Sequence, residues 1–155
     1  MKILVYLVGK KRNSLESNLF DQYILNFNKL SQSLKLSNIK VIYIENRKTG
    51  NLKDEILMFE KKINKGTYKI FLDVEGKKLS SIEFSKKIFH LRDIGIKTIS
   101  FVIGGPNGIP ETYKKNSDFN LSLGDMTWPH EMAKVLLSEQ IYRSINIKLG
   151  TPYHK

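Results

Sequence analysis

Residues 101–109 read FVIGGPNGI, and the interpretation of the whole chain starts from this stretch. The apolar run 101–103 is typical of a buried strand, and it stops abruptly at Gly104 and Gly105. Glycines directly after a strand mark a turn or a place where the backbone comes close to a ligand. The question is whether the loop 104–108 binds a phosphate, binds another kind of ligand or only turns the chain.

Apolar runs alternate along the chain with segments of helical periodicity. The runs predict strands at 3–8, 39–44, 68–72, 97–103 and 118–122. Spacings of three and four predict a first helix that buries Leu15, Leu19, Tyr23, Phe27 and Leu30. Further helices are predicted after Asn51, after Ser80 and after Pro129, the last with a row of Ala133, Leu137, Ile141 and Ile145. This alternation predicts an α/β fold with a parallel sheet.

Three glycine-bearing loops follow successive predicted strands. They are Glu75-Gly76 after the third strand, 104–108 after the fourth and Leu123-Gly124 after the fifth. Ligands of parallel sheets bind beyond the carboxyl ends of the strands. The three loops together predict a small-molecule pocket there, although a single such loop is also explained by a glycine that ends a strand.

The known nucleotide motifs do not fit the loop 104–108. A dinucleotide fingerprint needs glycines at its first, third and sixth positions after the first strand, and a P-loop needs a lysine and a hydroxyl after its last glycine. Here Gly108 is followed by Ile109 and Pro110. Pro106 also lacks a backbone donor that a phosphate would use. The loop therefore favours a ligand other than a phosphate.

The charge balance favours a polyanionic partner. The 155 residues include 26 Lys and Arg against 15 Asp and Glu, which gives a net charge of +11. Such a field attracts RNA or DNA. The basic residues are spread along the chain, with one triplet at Lys10-Lys11-Arg12, and scattered basic residues are also typical of a solvated surface. Charge alone leaves both interpretations open.

Several other kinds of site are excluded or disfavoured. The chain has no cysteine, which excludes disulfides, thiolate metal sites and a cysteine nucleophile. No HExxH or paired-carboxylate pattern occurs, so no metal is expected, and His130 is expected to pack at a helix start. The apolar run 3–8 is too short for a signal sequence or a membrane span. We expect a cytoplasmic protein with one domain, 1–155.

Four motifs in order resemble one family. They are FVIGGPNG at 101–108, LSLGDMTWPH at 121–130, EQIYR at 139–143 and PYHK at 152–155, and the segments 2–10 and 71–77 match as well. Over essentially the whole chain the sequence resembles the RlmH-type large-subunit rRNA methyltransferases of the SPOUT superfamily. The resemblance implies a C-terminal trefoil-type knot, within about residues 66–155, in which the last helix threads through a preceding loop.

The same resemblance implies the activity. Members of this family use S-adenosylmethionine to methylate N(3) of a pseudouridine in 23S rRNA on the assembled ribosome, and they work as homodimers. The alternative is a non-catalytic, basic RNA-binding protein of the same fold. By position in the motifs, the expected cofactor-binding residues are Leu72, Gly104, Gly105, Gly108, Leu123, Gly124, Asp125, Met126, Thr127 and Trp128. For Leu72 and Met126, plain core packing is the other interpretation.

The end of the chain holds the expected catalytic groups. N(3) of a uracil-type base carries a proton, so a general base, or cations that stabilise the deprotonated ring, would help its methylation. His154 is the candidate base, because its ordinary pKa of about 6.5 leaves it mostly neutral at pH 7. Tyr153 is expected to stack on the base, and Arg143 and Lys155 to bind phosphate or spread the ring's charge. The alternative for Arg143 is a surface ion pair with Glu139.

Overall fold

The computed structural model describes residues 1–45, 52–105 and 108–154. Strands and helices alternate as the sequence predicts. The strands are β1 (Lys2–Val8), β2 (Lys40–Ile44), β3 (Tyr68–Lys78), β4 (Thr98–Ile103) and β5 (Phe119–Ser122). The helices are α1 (Leu15–Ser31), α2 (Leu52–Lys62), α3 (Ser81–Asp93), α4 (Glu111–Lys114) and α5 (His130–Leu149). Short 3-10 turns at Gln32–Leu34 and Pro152–His154 follow α1 and α5.

The five strands form one parallel sheet in the order β2-β1-β4-β3-β5. The parallel α/β prediction is therefore confirmed. Because all strands run the same way, the segments that follow them meet at one edge of the sheet. The order places β4 between β1 and β3, so that the loop after β4 lies in the middle of that edge.

Helices cover both faces of the sheet, and the central strands are therefore apolar on both sides. Along β1, Ile3, Val5 and Leu7 belong to a core shared with α1, α3 and α5. The alternate residues Leu4, Tyr6 and Val8 belong to a second core with α2 and α4. This explains why the first strand is a continuous apolar run rather than an alternating one.

Helix α1 buries the predicted Phe27 and packs Tyr23 and Leu30 against the core, but the start of the helix differs from the prediction. Leu15 and Leu19 were expected in the core, but their exposed fractions are 84% and 46%. The buried residues of α1 are Ser17, Phe20, Ile24, Phe27 and Ser31. The side chain of Lys134 from α5 reaches Ser17, with 2.9 Å between Nζ and Oγ. The small serine leaves space for this side chain on the buried face of α1.

Strand β3 continues beyond its predicted end. Glu75-Gly76 was expected to be a loop, but both residues lie within β3, whose pairing with β5 shifts register between Leu72 and Lys77. A Cβ on Gly76 would lie 2.7 Å from the carbonyl carbon of Asn120. Glycine is needed here because the two backbones approach so closely.

The helix starts follow from side-chain caps. Ser80 and Glu83 form a reciprocal capping box at the start of α3, and the Ser14 hydroxyl accepts a hydrogen bond from the Ser17 N–H at the start of α1. The predicted cap Asn51 lies outside the described residues.

Within the described ranges, no helix has both the length and the apolar character needed to cross a membrane.

Candidate functional site

A cavity of about 440 Å³ opens at the edge of the sheet where the strands end. Its size falls in the range of sites for small molecules and cofactors. Three stretches of chain supply most of its lining: the middle of β3, the loop after β4 and the segment that connects β5 to α5. The predicted position of a pocket thus agrees with the cavity that the structure contains.

The loop after β4 is closed by its own backbone. The Gly108 N–H donates to the Gly105 carbonyl over 2.9 Å. A Cβ on Gly104 would lie 2.5 Å from the Gly108 oxygen and 2.7 Å from the Ile109 nitrogen. Gly104 therefore has no room for a side chain, and the bare backbone forms this wall of the cavity. Residues 106 and 107, which include Pro106, lie outside the described part of the chain.

An ion pair forms a polar wall of the cavity. Asp73 of β3 and Lys114 of α4 both line it, with 2.9 Å between the Lys114 Nζ and the Asp73 carboxylate. Lys114 also contacts Glu111 at 2.9 Å. Hydrogen bonds to these two carboxylates raise the pKa of Lys114, which keeps it charged. Glu75 adds a further carboxylate to the same lining.

The segment between β5 and α5 forms the rim. The Ser122 hydroxyl accepts from the Gly124 N–H and donates to its carbonyl, which fixes the turn after β5. Met126 and Trp128 line the cavity with exposed fractions of 71% and 38%. Core packing, the alternative considered for Met126, is therefore wrong. Asp125 points elsewhere and pairs with Lys78.

His130 lies at the first position of α5 and also lines the cavity. Burial lowers the pKa of His130, so the ring is neutral at physiological pH. Its Nδ1 atom is buried and makes no hydrogen bond of ordinary geometry within the described residues, although the Gly104 backbone is close enough to the ring to act on its pKa. Buried polar atoms normally have a partner, so an unpartnered nitrogen at this cavity is the kind of group that a ligand would satisfy.

The structure thus brings almost all the expected cofactor-binding residues to one cavity. Those that line it are Leu72, Gly104, Gly105, Gly108, Leu123, Gly124, Met126, Thr127 and Trp128; Asp125 is absent from the lining. Sequence reasoning missed Asp73, Lys114 and the contribution of His130. For Asp73 there was a signal, namely an acidic residue near the carboxyl end of a buried strand. Nothing in the sequence pointed to Lys114, because α4 is only four residues long.

The expected catalytic residues lie elsewhere in the protomer. Tyr153 packs on the second half of α5, where its hydroxyl lies 3.1 Å from the Glu139 carboxylate and its ring centre 4.7 Å from that of Tyr142. Arg143 pairs with the same Glu139 at 2.7 Å, as its alternative interpretation predicted. Arg143 is about 20 Å along the helix from His130, since each residue of α-helix advances the chain by about 1.5 Å.

Burial, reinforced by hydrogen bonding, raises the pKa of Tyr153, so its phenol stays protonated. The side chain of His154 and the whole of Lys155 lie outside the described residues. Within one protomer, the cofactor residues and the described residues of the proposed catalytic set therefore form two separate groups.

Comparison with known proteins agrees with this arrangement. Residues 1–154 match the family model described as "Predicted SPOUT methyltransferase". A protein of Ruegeria sp. (strain TM1040) named "Ribosomal RNA large subunit methyltransferase H" is 37% identical over 100% of this chain and 99% of its own. Proteins of the same name from Ruegeria pomeroyi and Dinoroseobacter shibae are 34% and 35% identical, with the same coverage.

A solved structure supports the fold independently. The probable methylase family protein from Haemophilus influenzae Rd KW20 aligns with a TM-score of 0.53 over 99% of this chain and 70% of that one, at 10% sequence identity. At that identity the likeness concerns the fold alone. The family match and the full-length relatives carry the assignment, and they show that the chain belongs to the SPOUT methyltransferase family.

Proposed function

We propose that this protein transfers a methyl group from S-adenosylmethionine to N(3) of a pseudouridine in 23S rRNA on the assembled ribosome. Methyltransferases of this family use that cofactor, and the full-length relatives are named as large-subunit rRNA methyltransferases. A net charge of +11 suits an RNA substrate. The observation that carries the proposal is the single cavity lined by the cofactor residues expected from the sequence.

The cavity has the chemistry that S-adenosylmethionine requires. Gly104 leaves the backbone bare, so that a flat ring or a ribose can lie against it. Leu72, Leu121 and Leu123 supply apolar surface. The Glu75 carboxylate, which forms no ion pair within the described residues, suits a positive group of the ligand, its sulfonium or its ammonium. The unpartnered Nδ1 of His130 offers a further hydrogen-bonding atom. The residues present therefore fit this cofactor.

When bound, S-adenosylmethionine supplies a methyl group that is already activated by a positive sulfur. The protein's task is to orient the acceptor nitrogen and to manage its proton. His154 is the proposed acceptor of the N(3) proton, because an ordinary imidazole is mostly neutral at pH 7. Tyr153 would stack on the base, and Arg143 would stabilise the negative ring. Lys155 would bind a neighbouring phosphate.

Of this set, the described residues Tyr153 and Arg143 do not line the pocket of their own protomer. In one protomer, Tyr153 and Arg143 lie on the second half of α5, whereas the cavity lies at its start. We therefore propose a homodimer in which the tail of one protomer completes the pocket of its partner. The exposed Leu15 and Leu19 at the start of α1 and the exposed Trp128 at the pocket rim support an interface that includes these residues.

We further propose that residues 1–155 form one domain in the cytoplasm and that the segment of about 66–155 is knotted. All five strands share one sheet, and α5 packs against α1 and α3, which supports a single domain. β5 pairs with β3, on the far side of β3 from β4. The chain after β5 therefore returns past the loop 104–108, with which His130 shares the cavity. This arrangement supports the threaded connection that the family resemblance implies.

The test is methyl transfer to ribosomes from a strain that lacks the gene. Tritium from labelled S-adenosylmethionine should enter 23S rRNA, and mass spectrometry should locate it on a pseudouridine base. Calorimetry on the protein alone should detect the cofactor. Cofactor binding without transfer to any ribosomal RNA would refute the proposed substrate, and absence of cofactor binding would leave only a non-catalytic RNA-binding protein.

A further inference from the structure

A basic loop lies beside the cofactor pocket. Residues 9–13 connect β1 to α1 at the edge of the sheet where the strands end. Leu7 of β1 is in register with Ile103 of β4, so that Val8 lies next to the glycines that follow β4. A Cβ on Gly105 would lie 3.2 Å from the Val8 Cγ1. The loop therefore begins in direct contact with the glycine wall of the pocket.

The positive charge of this loop extends to the pocket rim. Burial is the main cause of the lowered pKa of His130, and the positive charge of Arg12 makes the smallest contribution in the same direction. His130 itself lines the cavity. The strand register and the closeness of Val8 to Gly105 thus place the start of the basic loop next to the pocket, on its β1 side.

Two of the three basic residues in the loop have no acidic partner. Lys10, Lys11 and Arg12 are all exposed. Lys11 pairs with Asp21 at 2.7 Å, which neutralises it. Within residues 1–45, 52–105 and 108–154, neither Lys10 nor Arg12 forms an ion pair. Their charges are thus available to a ligand from solution.

Other cations around the pocket form ion pairs with carboxylates of the protein. Lys114 pairs with Asp73 and Glu111, and Lys78 pairs with Asp125. Lys134 pairs with Glu131 at the start of α5. Since these charges are compensated within the protein, a polyanion that approaches the pocket from the β1 side meets uncompensated charge at Lys10 and Arg12.

We propose that Lys10 and Arg12 bind backbone phosphates of the rRNA next to the nucleotide that enters the pocket. The inference rests on the proposed function for the identity of the RNA. Arg12 offers a planar fork of donors for two phosphate oxygens, and Lys10 a point charge. Such contacts position the RNA without reading its bases. They act on RNA affinity and leave the cofactor site unchanged.

The test compares two variants that lose the same amount of charge. Lys10→Gln/Arg12→Gln removes the two free cations at the pocket edge. Lys40→Gln/Lys97→Gln removes two exposed cations from the opposite edge, where β2 and β4 begin. Both double variants lower the net charge by the same amount, so any difference between them reports position. Circular dichroism and calorimetry with S-adenosylmethionine should give the wild-type result for both.

Binding to purified large ribosomal subunits is measured as a function of KCl concentration, independently of catalysis. For Lys10→Gln/Arg12→Gln we expect affinity to fall roughly tenfold near 0.1 M salt and the slope of log K against log salt to decrease by about 1.5, since each lost phosphate contact removes about 0.7–0.9 from the slope. In active protein, kcat/KM for ribosomes should fall by a similar factor.

Equal losses of affinity and slope in the two variants would overturn the inference, because the effect would then come from net charge alone. Unchanged binding of Lys10→Gln/Arg12→Gln would overturn it as well. If wild-type protein binds large subunits but transfers no methyl group to them, the proposed function fails, whereas a selective loss of binding in this variant would still support the phosphate-binding loop.

Discussion

Replacing Gly104 by alanine puts a methyl group where the structure has no space for one. Its Cβ would lie 2.5 Å from the Gly108 oxygen and 2.7 Å from the Ile109 nitrogen, whereas ordinary contacts begin at 3.4 Å. Both neighbours are backbone atoms, so the loop must move by about 1 Å, which displaces the bare backbone wall of the cavity. We expect the Kd for S-adenosylmethionine to rise about 100-fold, equivalent to about 2.7 kcal/mol.

Calorimetry measures this change, and a second glycine provides the control. Gly95 has a φ of +90° and no atom within 4 Å of its added Cβ, and it lies in the turn between α3 and β4, away from the pocket. Gly95→Ala should lose about 1 kcal/mol of stability through backbone strain but keep its cofactor affinity. If Gly104→Ala bound the cofactor as tightly as Gly95→Ala, the loop 104–108 would not form the cofactor site.

Three further predictions concern charged and titratable groups. Burial lowers the pKa of His130 in the folded protein, so the unfolded chain, in which the histidine keeps its ordinary pKa of 6.5, binds more protons as the pH falls. Stability to urea should therefore fall as the pH drops through 6.5, and His130→Gln should weaken that dependence. Lys134→Met leaves Glu131 unpaired and should cost about 1–3 kcal/mol in urea unfolding, most of it recovered in Lys134→Met/Glu131→Gln. Asp73→Asn breaks the ion pair with Lys114 in the cavity and should weaken cofactor binding about tenfold in calorimetry.

The parallel sheet was predictable because each element has a local signature. A continuous apolar run such as 3–8 requires burial on both faces, and only helices on both sides of a sheet provide it. In α5, Leu137, Ile141 and Ile145 occupy the row that the spacing predicted, and all three are fully buried. Positions of this kind depend on short-range periodicity, which the sequence displays directly.

What the sequence could not reveal depends on contacts between distant segments. On α1, the buried face includes Ser17, which is contacted by Lys134, more than a hundred residues away. The long β3 follows from the close approach of Gly76 to β5. Lys114 joins the site only because α4 packs near the middle of β3, where Asp73 lies. None of these contacts between distant residues can be recognised from local hydrophobic periodicity.

The residues of the pocket were predicted from the motif resemblance and not from periodicity. The structure brings nearly all of them to one cavity. The resemblance did not indicate how the tail reaches that cavity, and the position of Tyr153 on the second half of α5 makes this question central. The proposed homodimer, in which the partner supplies the tail, accounts for the separation.

The most direct test of the central claim is complementation between two inactive variants. One carries Gly104→Val and keeps its tail; the other lacks residues 152–155 and keeps its pocket. After the two are mixed, unfolded together and refolded, a random two-fold dimer population should recover about a quarter of the wild-type rate of methyl transfer to ribosomes, because each mixed dimer holds one intact site. Full activity of the truncated protein alone, or no recovery in a mixture that demonstrably contains mixed dimers, would contradict a site completed by the partner's tail.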